Sequence, residues 1–255
     1  MSSPADFYDR LAGDYHLLFA DWQSSVLAQG RSLDAILRAE LGQGPHRILD
    51  CACGIGTQTI GLALLGHDLT ATDLSPKAAA RARAEAQKMG LTGIHFDTLD
   101  FFSLGQQFSA EFDAVLACDN ALPHLLSEHE IHQAASNFRR CLKPEGMMLI
   151  STRDYDKVLL DRPSGTLPGR IVEGGHQRIV FQLWDWTGDS TYKVEIFLLT
   201  EDQGEWEVKS MQTTYRAWRR AELNRSIGEA GFRDLRWLDP EETGFFQPIL
   251  IAKCD

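Results

Sequence analysis

The feature that most constrains this chain is a pattern repeated from Arg47 to Thr152. Short apolar runs end at polar or glycine-bearing turns, and a helix-forming stretch follows each. Arg47-Ile-Leu-Asp-Cys-Ala52 reads as a strand running into Cys53-Gly54-Ile55-Gly56, and a helix over 57–65 is closed by Gly66. A second strand, 68–72, ends at Asp73. Ser75-Pro76 then supplies a cap and a first-position proline for a helix over 77–89. Ile94, Phe96 and Thr98 mark a third strand, and 112–117 a fourth that ends at Cys118-Asp119-Asn120. A helix over 127–142 places Ile131, Ala135, Phe138 and Leu142 on one face, and Lys143-Pro-Glu-Gly146 turns into a fifth strand, 147–152. Five strands alternating with helices predict a parallel sheet covered on both faces and joined by right-handed crossovers.

The flanks follow other rules. Residues 22–41 put Trp22, Val26, Leu33, Leu37 and Leu41 near one helical face, stopped by Gly42-Gln-Gly44-Pro45. After Asp161 come β-rich runs at 171–172, 178–186, 192–200 and 206–215, separated by Gly and Asp turns, which read as antiparallel strands inserted into the α/β frame. Helical spacing returns over 219–230, and 232–238 and 245–253 read as two final strands. The expectation is one domain: a helical N-terminal lid (1–44), a core (45–160), an antiparallel insertion (161–216), and a closing helix with strands (217–255).

Composition narrows the partners. The 255 residues carry 25 Lys plus Arg against 36 Asp plus Glu, a net charge of −11, which opposes nucleic acid and anionic membrane as partners. The densest basic cluster, 216–220, is diluted by Ala217 and Trp218 and reads as the start of a helix with a solvated face. No run of about 18 uncharged apolar residues exists to span a membrane. Met1-Ser-Ser-Pro-Ala-Asp6 has no secretory pattern. The five cysteines (Cys51, Cys53, Cys118, Cys141, Cys254) are odd in number, and Cys51-Ala-Cys53 lacks metal-ligand spacing. Buried, reduced thiols in a cytoplasmic protein, with no metal, are expected.

The strongest chemical signal lies between Leu49 and Asp73. Small residues at Ala52, Gly54 and Gly56 let the backbone approach a ligand closely, and free amides at the helix start can meet a polar or anionic group. Asp73, 23 residues past Asp50, can accept both ribose hydroxyl hydrogen bonds. The plainer alternative is a tight turn, with Asp73 capping the next helix. A dinucleotide fingerprint wants glycine where Ala52 stands, which weakens a nicotinamide-dependent oxidoreductase.

The stretch Leu49-Asp-Cys-Ala-Cys-Gly-Ile-Gly-Thr57 resembles motif I of the class I S-adenosylmethionine-dependent methyltransferases, and the resemblance extends over residues 45–153. It implies an α/β fold: a doubly wound, mostly parallel, seven-stranded Rossmann-like sheet with its last strand antiparallel. It implies S-adenosylmethionine as cofactor, held by Asp50, Ala52, Cys53, Gly54 and Gly56 in the loop, and by Asp73 with Leu74 at the ribose. Asp100 and Phe101 would flank the adenine, and Cys118-Asp119-Asn120 would stand at the fourth strand end, where the family meets cofactor and substrate, with Cys118 as a cofactor contact. The aromatic N-terminal segment looks like the family's lid over the methionine end, with Tyr15 and Trp22 as its contacts and Phe7 and Phe19 as packing residues.

Asn120-Ala-Leu-Pro-His124-Leu and Ser151-Thr-Arg153-Asp-Tyr155-Asp are similar in spacing to the glycine N-methyltransferase-like branch. That likeness implies that Asn120 and Arg153 hold an acceptor's carboxylate. The branch also uses aromatic hydroxyls from its inserted strands, yet residues 171–178 here contain no tyrosine. His124, with an unperturbed pKa of about 6.5, is a candidate proton acceptor or an orienting cap for the next helix. The planar fork of Arg153 suits a carboxylate, or pairs with Asp154 or Asp156. Trp184 and Trp186 share one strand face and either fill the insertion's core, the favoured reading, or line an acceptor pocket. The expected activity is methyl transfer to a small molecule, at an amine or amino-acid-like nitrogen. A glycine or sarcosine methyltransferase proper, a non-catalytic S-adenosylmethionine-binding protein and an NAD-dependent oxidoreductase are the alternatives, and a homo-oligomer is left open.

Overall fold

The computed structural model describes residues 3–173 and 176–254. Its strands in chain order are β1 (Arg47–Asp50), β2 (Asp68–Asp73), β3 (His95–Thr98), β4 (Phe112–Ala117), β5 (Leu142–Ser151), β6 (Gly169–Glu173), β7 (His176–Trp186), β8 (Thr191–Asp202), β9 (Glu205–Arg216), β10 (Arg233–Leu238) and β11 (Ile249–Lys253). Seven of them form one sheet in the order β10-β11-β5-β4-β1-β2-β3, in which β11 alone runs against its neighbours. This is the doubly wound, mostly parallel sheet read from the sequence. The remaining four pair antiparallel as β6-β7-β8-β9.

The helices are α1 (Pro4–Leu11), α2 (Trp22–Leu41), α3 (Thr57–Ala63), α4 (Pro76–Lys88), α5 (Leu104–Gln107), α6 (Glu128–Cys141), α7 (Tyr155–Asp161), α8 (Arg220–Glu229) and α9 (Pro240–Thr243). Strand periodicity divides the core. Leu49, Val115, Met148, Ile150 and Leu250 face α6 and α8, while Ile48, Leu116, Leu149 and Ile249 face α2. The small sheet buries Trp184, Tyr192, Val194, Ile196, Met211 and Tyr215 beneath Phe7 and Leu11 of α1. Helix α1 is also latched to α4, since Asp9 accepts hydrogen bonds from the Ser75 hydroxyl and the Lys77 amide.

Three expectations shift at the edges. Strand β5 begins at Leu142 rather than 147: Leu142 pairs with Phe112, a register shift follows, and Lys143 bonds Asp113 at 2.7 Å. The last strand begins at Ile249, since the preceding segment crosses the sheet end instead, with Pro248 accepting from the Thr152 amide and Gln247 from the Ser151 hydroxyl. The basic cluster near 216 is not a solvated helix face: β9 runs through Arg216, whose guanidinium lies 3.6 Å from the Trp218 ring centroid and pairs with Glu222. All five cysteines are free and buried. Among the described residues, no helix is long and apolar enough to cross a membrane, and no group of three or more His, Cys, Asp or Glu side chains is placed to hold a metal.

Candidate active site

The C-terminal ends of β1, β2 and β4 open into a cavity of about 340 Å³. Such carboxyl edges are where open α/β sheets take ligands. The β1–α3 loop supplies its floor through Ala52, Cys53 and Gly54. Gly54 has φ +53°, and a Cβ there would meet nothing within 4 Å, so its bare backbone borders open space. Its amide donates to Asp73 Oδ2 at 2.8 Å, and the Ser75 amide donates to Asp73 Oδ1 at 2.9 Å. Asp73 therefore ties the β1–α3 loop to the Ser75 cap of α4 and forms part of the wall, and burial pushes its carboxyl up to about 6. Leu74, Asp100, Phe101 and Cys118 line the same cavity, as the sequence led us to expect, together with Ile55, Thr57, Gln58, Leu99 and Phe102, which it did not.

Three expected contacts lie elsewhere. Asp50 does not reach the cavity: it is fully buried, accepts from the Thr59 hydroxyl and the Ala52 amide, and ties the loop to α3. Gly56, at φ +95°, begins α3, and a Cβ there would stand 3.0 Å from Ile60 Cδ1, so the residue serves the turn rather than the cavity. Trp22 donates from Nε1 to Thr57 Oγ1 at 2.9 Å and is buried, joining α2 to α3. Tyr15 does line the cavity, with Tyr8 and Pro4 of the N-terminal segment.

A second chamber of about 470 Å³ adjoins the first and shares Tyr8, Tyr15 and Asp119 with it. Its polar lining includes Asn120, Arg153, Gln182, Tyr215 and Gln247, and its apolar lining includes Phe7, Leu11, Phe19, Ile196 and Phe246. At the end of β4, Asp119 (φ +57°) and Asn120 (φ +65°) are consecutive left-handed residues, a conformation that costs of order 1 kcal/mol each outside glycine. Ser151 holds the bend, its hydroxyl accepting from the Asp119 amide and its carbonyl from the Asn120 amide. Asn120 Oδ1 accepts three bonds, from Thr152 Oγ1, the Arg153 amide and Tyr155 OH. Its Nδ2 is buried with no protein partner.

Arg153 makes neither of the ion pairs weighed for it. Its guanidinium donates to Tyr192 OH at 3.1 Å and Gln182 Oε1 at 3.0 Å, and lies 4.8 Å from the Trp184 ring centroid. Neighbouring Tyr155, Tyr192 and Tyr215 help hold its pKa above the ordinary arginine value despite burial. Trp184 is thus both core and a wall behind this side chain. Tyr8, Tyr15 and Tyr215 line the chamber, and the buried hydroxyls of Tyr155 and Tyr192 stand behind it on Asn120 and Arg153. The signal for Tyr192 and Tyr215 was cross-strand register: Tyr192 sits opposite both Trp186 and Tyr215.

His124 lines the first cavity with both ring nitrogens engaged: Nε2 lies 3.0 Å from Tyr8 OH and Nδ1 3.4 Å from Thr213 Oγ1. Burial lowers its pKa to about 3, so the ring is neutral across the physiological range. It does not cap the next helix, since Ser127 and Glu130 form a reciprocal cap at the start of α6.

The family described as "Methyltransferase domain" matches residues 48–146, the segment that builds the loop, β2 and the β4 end. The matched segment, from β1 to the start of β5, is similar to methyltransferase domains. The chain is 30% identical over 139 residues to a glycine/sarcosine N-methyltransferase of Parasynechococcus marenigrum, covering 54% of this chain and 48% of that protein. It spans about half the length, or less, of the first curated relatives it matches. The structure of S-adenosylmethionine-bound CalS10, an amino pentose methyltransferase from Micromonospora echinaspora, superposes with a TM-score of 0.73 at 18% identity, covering 91% and 92% of the two chains. DesVI of Streptomyces venezuelae superposes with 0.75 at 17% identity over the whole of both. The methyltransferase fold therefore extends through the small sheet and the N-terminal helices.

Proposed function

We propose that this protein is an S-adenosylmethionine-dependent methyltransferase that methylates a nitrogen of a small, amino-acid-like acceptor. The observation that carries the reading is the pair of adjoining chambers: one bordered by the bare Gly54 backbone and the Asp73 carboxylate, the other by Arg153 and Asn120, meeting at Tyr8, Tyr15 and Asp119. The first chamber suits an adenosyl group. Asp73 offers acceptor oxygens to ribose hydroxyls, Leu74, Leu99, Phe101 and Phe102 offer apolar surface to an adenine ring, and Gly54 leaves room for close approach.

Bound there, S-adenosylmethionine supplies a methyl group already activated on a sulfonium. The protein's task is alignment, which in ideal cases is equivalent to about 10⁵–10⁸ M of effective concentration. Tyr8 and Tyr15 at the junction bring aromatic rings, which favour dispersed positive charge, to the cavity wall. His124 stays uncharged and steadies Tyr8. Arg153 and the open Nδ2 of Asn120 offer donors to an acceptor's carboxylate. The names of the relatives agree with nitrogen acceptors, and the apolar lining of the second chamber favours an acceptor larger than glycine.

The test is a methyl-transfer screen with labelled cofactor against amines, amino acids and phenols. Label on an amino-acid nitrogen is expected. Tight S-adenosylmethionine binding without turnover on any acceptor would favour the non-catalytic reading, and label confined to phenols would refute nitrogen as the acceptor atom.

A further inference from the structure

The second chamber has one acidic and one cationic side chain in its lining among the described residues, Asp119 and Arg153. Arg153 makes no direct ion pair with Asp119, since its bonds go to a tyrosine hydroxyl and an amide oxygen, although its charge offsets part of the upward push that burial gives the Asp119 carboxyl. The carboxylate of Asp119 has a single side-chain partner, the Tyr15 hydroxyl on Oδ2 at 3.0 Å. Asp119 also borders the first cavity and an open groove that shares Arg153, Phe246 and Gln247 with the chamber, so it stands where the two chambers and their way out meet. The strained bend at 119–120, clamped by Ser151, fixes that position. A part-buried acid held there with one neutral partner is matched by a cation brought from outside.

We propose that Asp119 is the acceptor-recognition residue: its carboxylate binds the ammonium of a zwitterionic acceptor and takes the proton that this nitrogen must lose before its lone pair can attack the methyl, while Arg153 and Asn120 Nδ2 hold the acceptor's carboxylate. This rests on the methyltransferase reading and adds the charge pattern of the substrate. His124 cannot take the role, being neutral and hydrogen-bonded to Tyr8 and Thr213. Opposite charges at one chamber select an amino acid over a simple amine or acid, and the apolar walls of Phe7, Leu11, Ile196 and Phe246 take its side chain.

The test uses the full chain saturated with S-adenosylhomocysteine, which lacks the sulfonium charge, and three probes of one skeleton: L-phenylalanine, phenethylamine and 3-phenylpropionate. Calorimetry measures each against wild type, Asp119→Asn and Arg153→Gln. Asparagine tolerates the left-handed backbone, so Asp119→Asn keeps the bend, and circular dichroism checks the fold. Asp119→Asn is expected to weaken L-phenylalanine and phenethylamine by at least about tenfold, the loss of a charge-assisted bond, and to leave 3-phenylpropionate bound as well or better. Arg153→Gln is expected to do the reverse. Equal losses for all three probes in Asp119→Asn, or no loss for phenethylamine, would overturn the inference, as would failure of all three to bind the wild-type complex. So would a variant that weakens S-adenosylmethionine relative to S-adenosylhomocysteine while sparing phenethylamine, because the charge would then serve the cofactor. Failure of S-adenosylhomocysteine itself to bind wild type would instead refute the methyltransferase reading.

Discussion

Replacing Asp73 tests the cofactor cradle directly. Its two oxygens take the Gly54 and Ser75 amides at 2.8 and 2.9 Å, and the residue borders the cavity. Asp73→Ala removes the acceptors for ribose hydroxyls and is expected to weaken S-adenosylhomocysteine by about 1–3 kcal/mol, roughly 5- to 150-fold in Kd. Asp50→Asn is the matched control: Asp50 is equally buried but bonds Thr59 and Ala52 and stays out of the cavity, so it should lower stability with little change in Kd. The pH dependence carries a sign. Burial holds Asp73 near 6, and the charged form is the better acceptor, so wild-type affinity should rise with pH up to about 6 and then level, while Asp73→Ala shows no such rise. Both buried acids have folded-state pKa values above their unfolded ones. The folded state therefore holds extra protons between about pH 4 and 6, and these groups cost stability as pH rises through that window. Titration calorimetry from pH 5 to 8 reads the affinity, and chemical denaturation without ligand reads the stability. Equal Kd for wild type and folded Asp73→Ala at pH 7.5 would refute the reasoning.

Gly56→Ala puts a Cβ 3.0 Å from Ile60 Cδ1 at a backbone φ of +95°, so it should cost about 1–3 kcal/mol of stability in a denaturant titration; an unchanged midpoint would contradict the packing. Trp22→Phe loses the bond to Thr57 and should cost about 1 kcal/mol of stability while leaving cofactor affinity within about twofold, and a selective loss of affinity would return Trp22 to the lid. His124 titrates near pH 3, so the pH–rate profile between 6 and 8 should keep its shape in His124→Gln even if the rate falls; disappearance of a limb near 6.5 would show that the ring ionises during turnover.

Sequence and structure agree where a local rule decides the outcome. Ser75-Pro76 opens α4 because the hydroxyl accepts from the Ala78 amide and proline costs nothing at a first position, and α2 ends at Gly42, where φ is +88°. The strand ends follow from the same punctuation, so Gly54, Asp73, Phe101 and Cys118 were legible as neighbours around one sheet edge. Asp50, Gly56 and Trp22 lie outside the cavity lining for one reason: spacing along the chain does not say which way a side chain points. Asp50 turns inward to Thr59, and Trp22 spends its indole donor on Thr57.

The acceptor side was less legible because its parts are far apart in the chain. Tyr8, Asp119, Arg153, Gln182 and Tyr215 meet only after α1 is laid on β8 and β9 and the end of β4 is bent into two left-handed residues. Single residues such as Arg153 could be named from their strand ends, but their partners could not, and here the partners decide the chemistry. Tyr192 and Gln182 occupy the guanidinium in place of Asp154 and Asp156, which leaves Asp119 without an arginine bond on the same chamber. Had Arg153 and Asp119 paired with each other, the chamber would present no net polarity along its length and would favour a neutral acceptor. Each is engaged by neutral groups instead of by the other, and the small sheet, which does not line the cofactor cavity, supplies Gln182 and Tyr215 to the chamber wall.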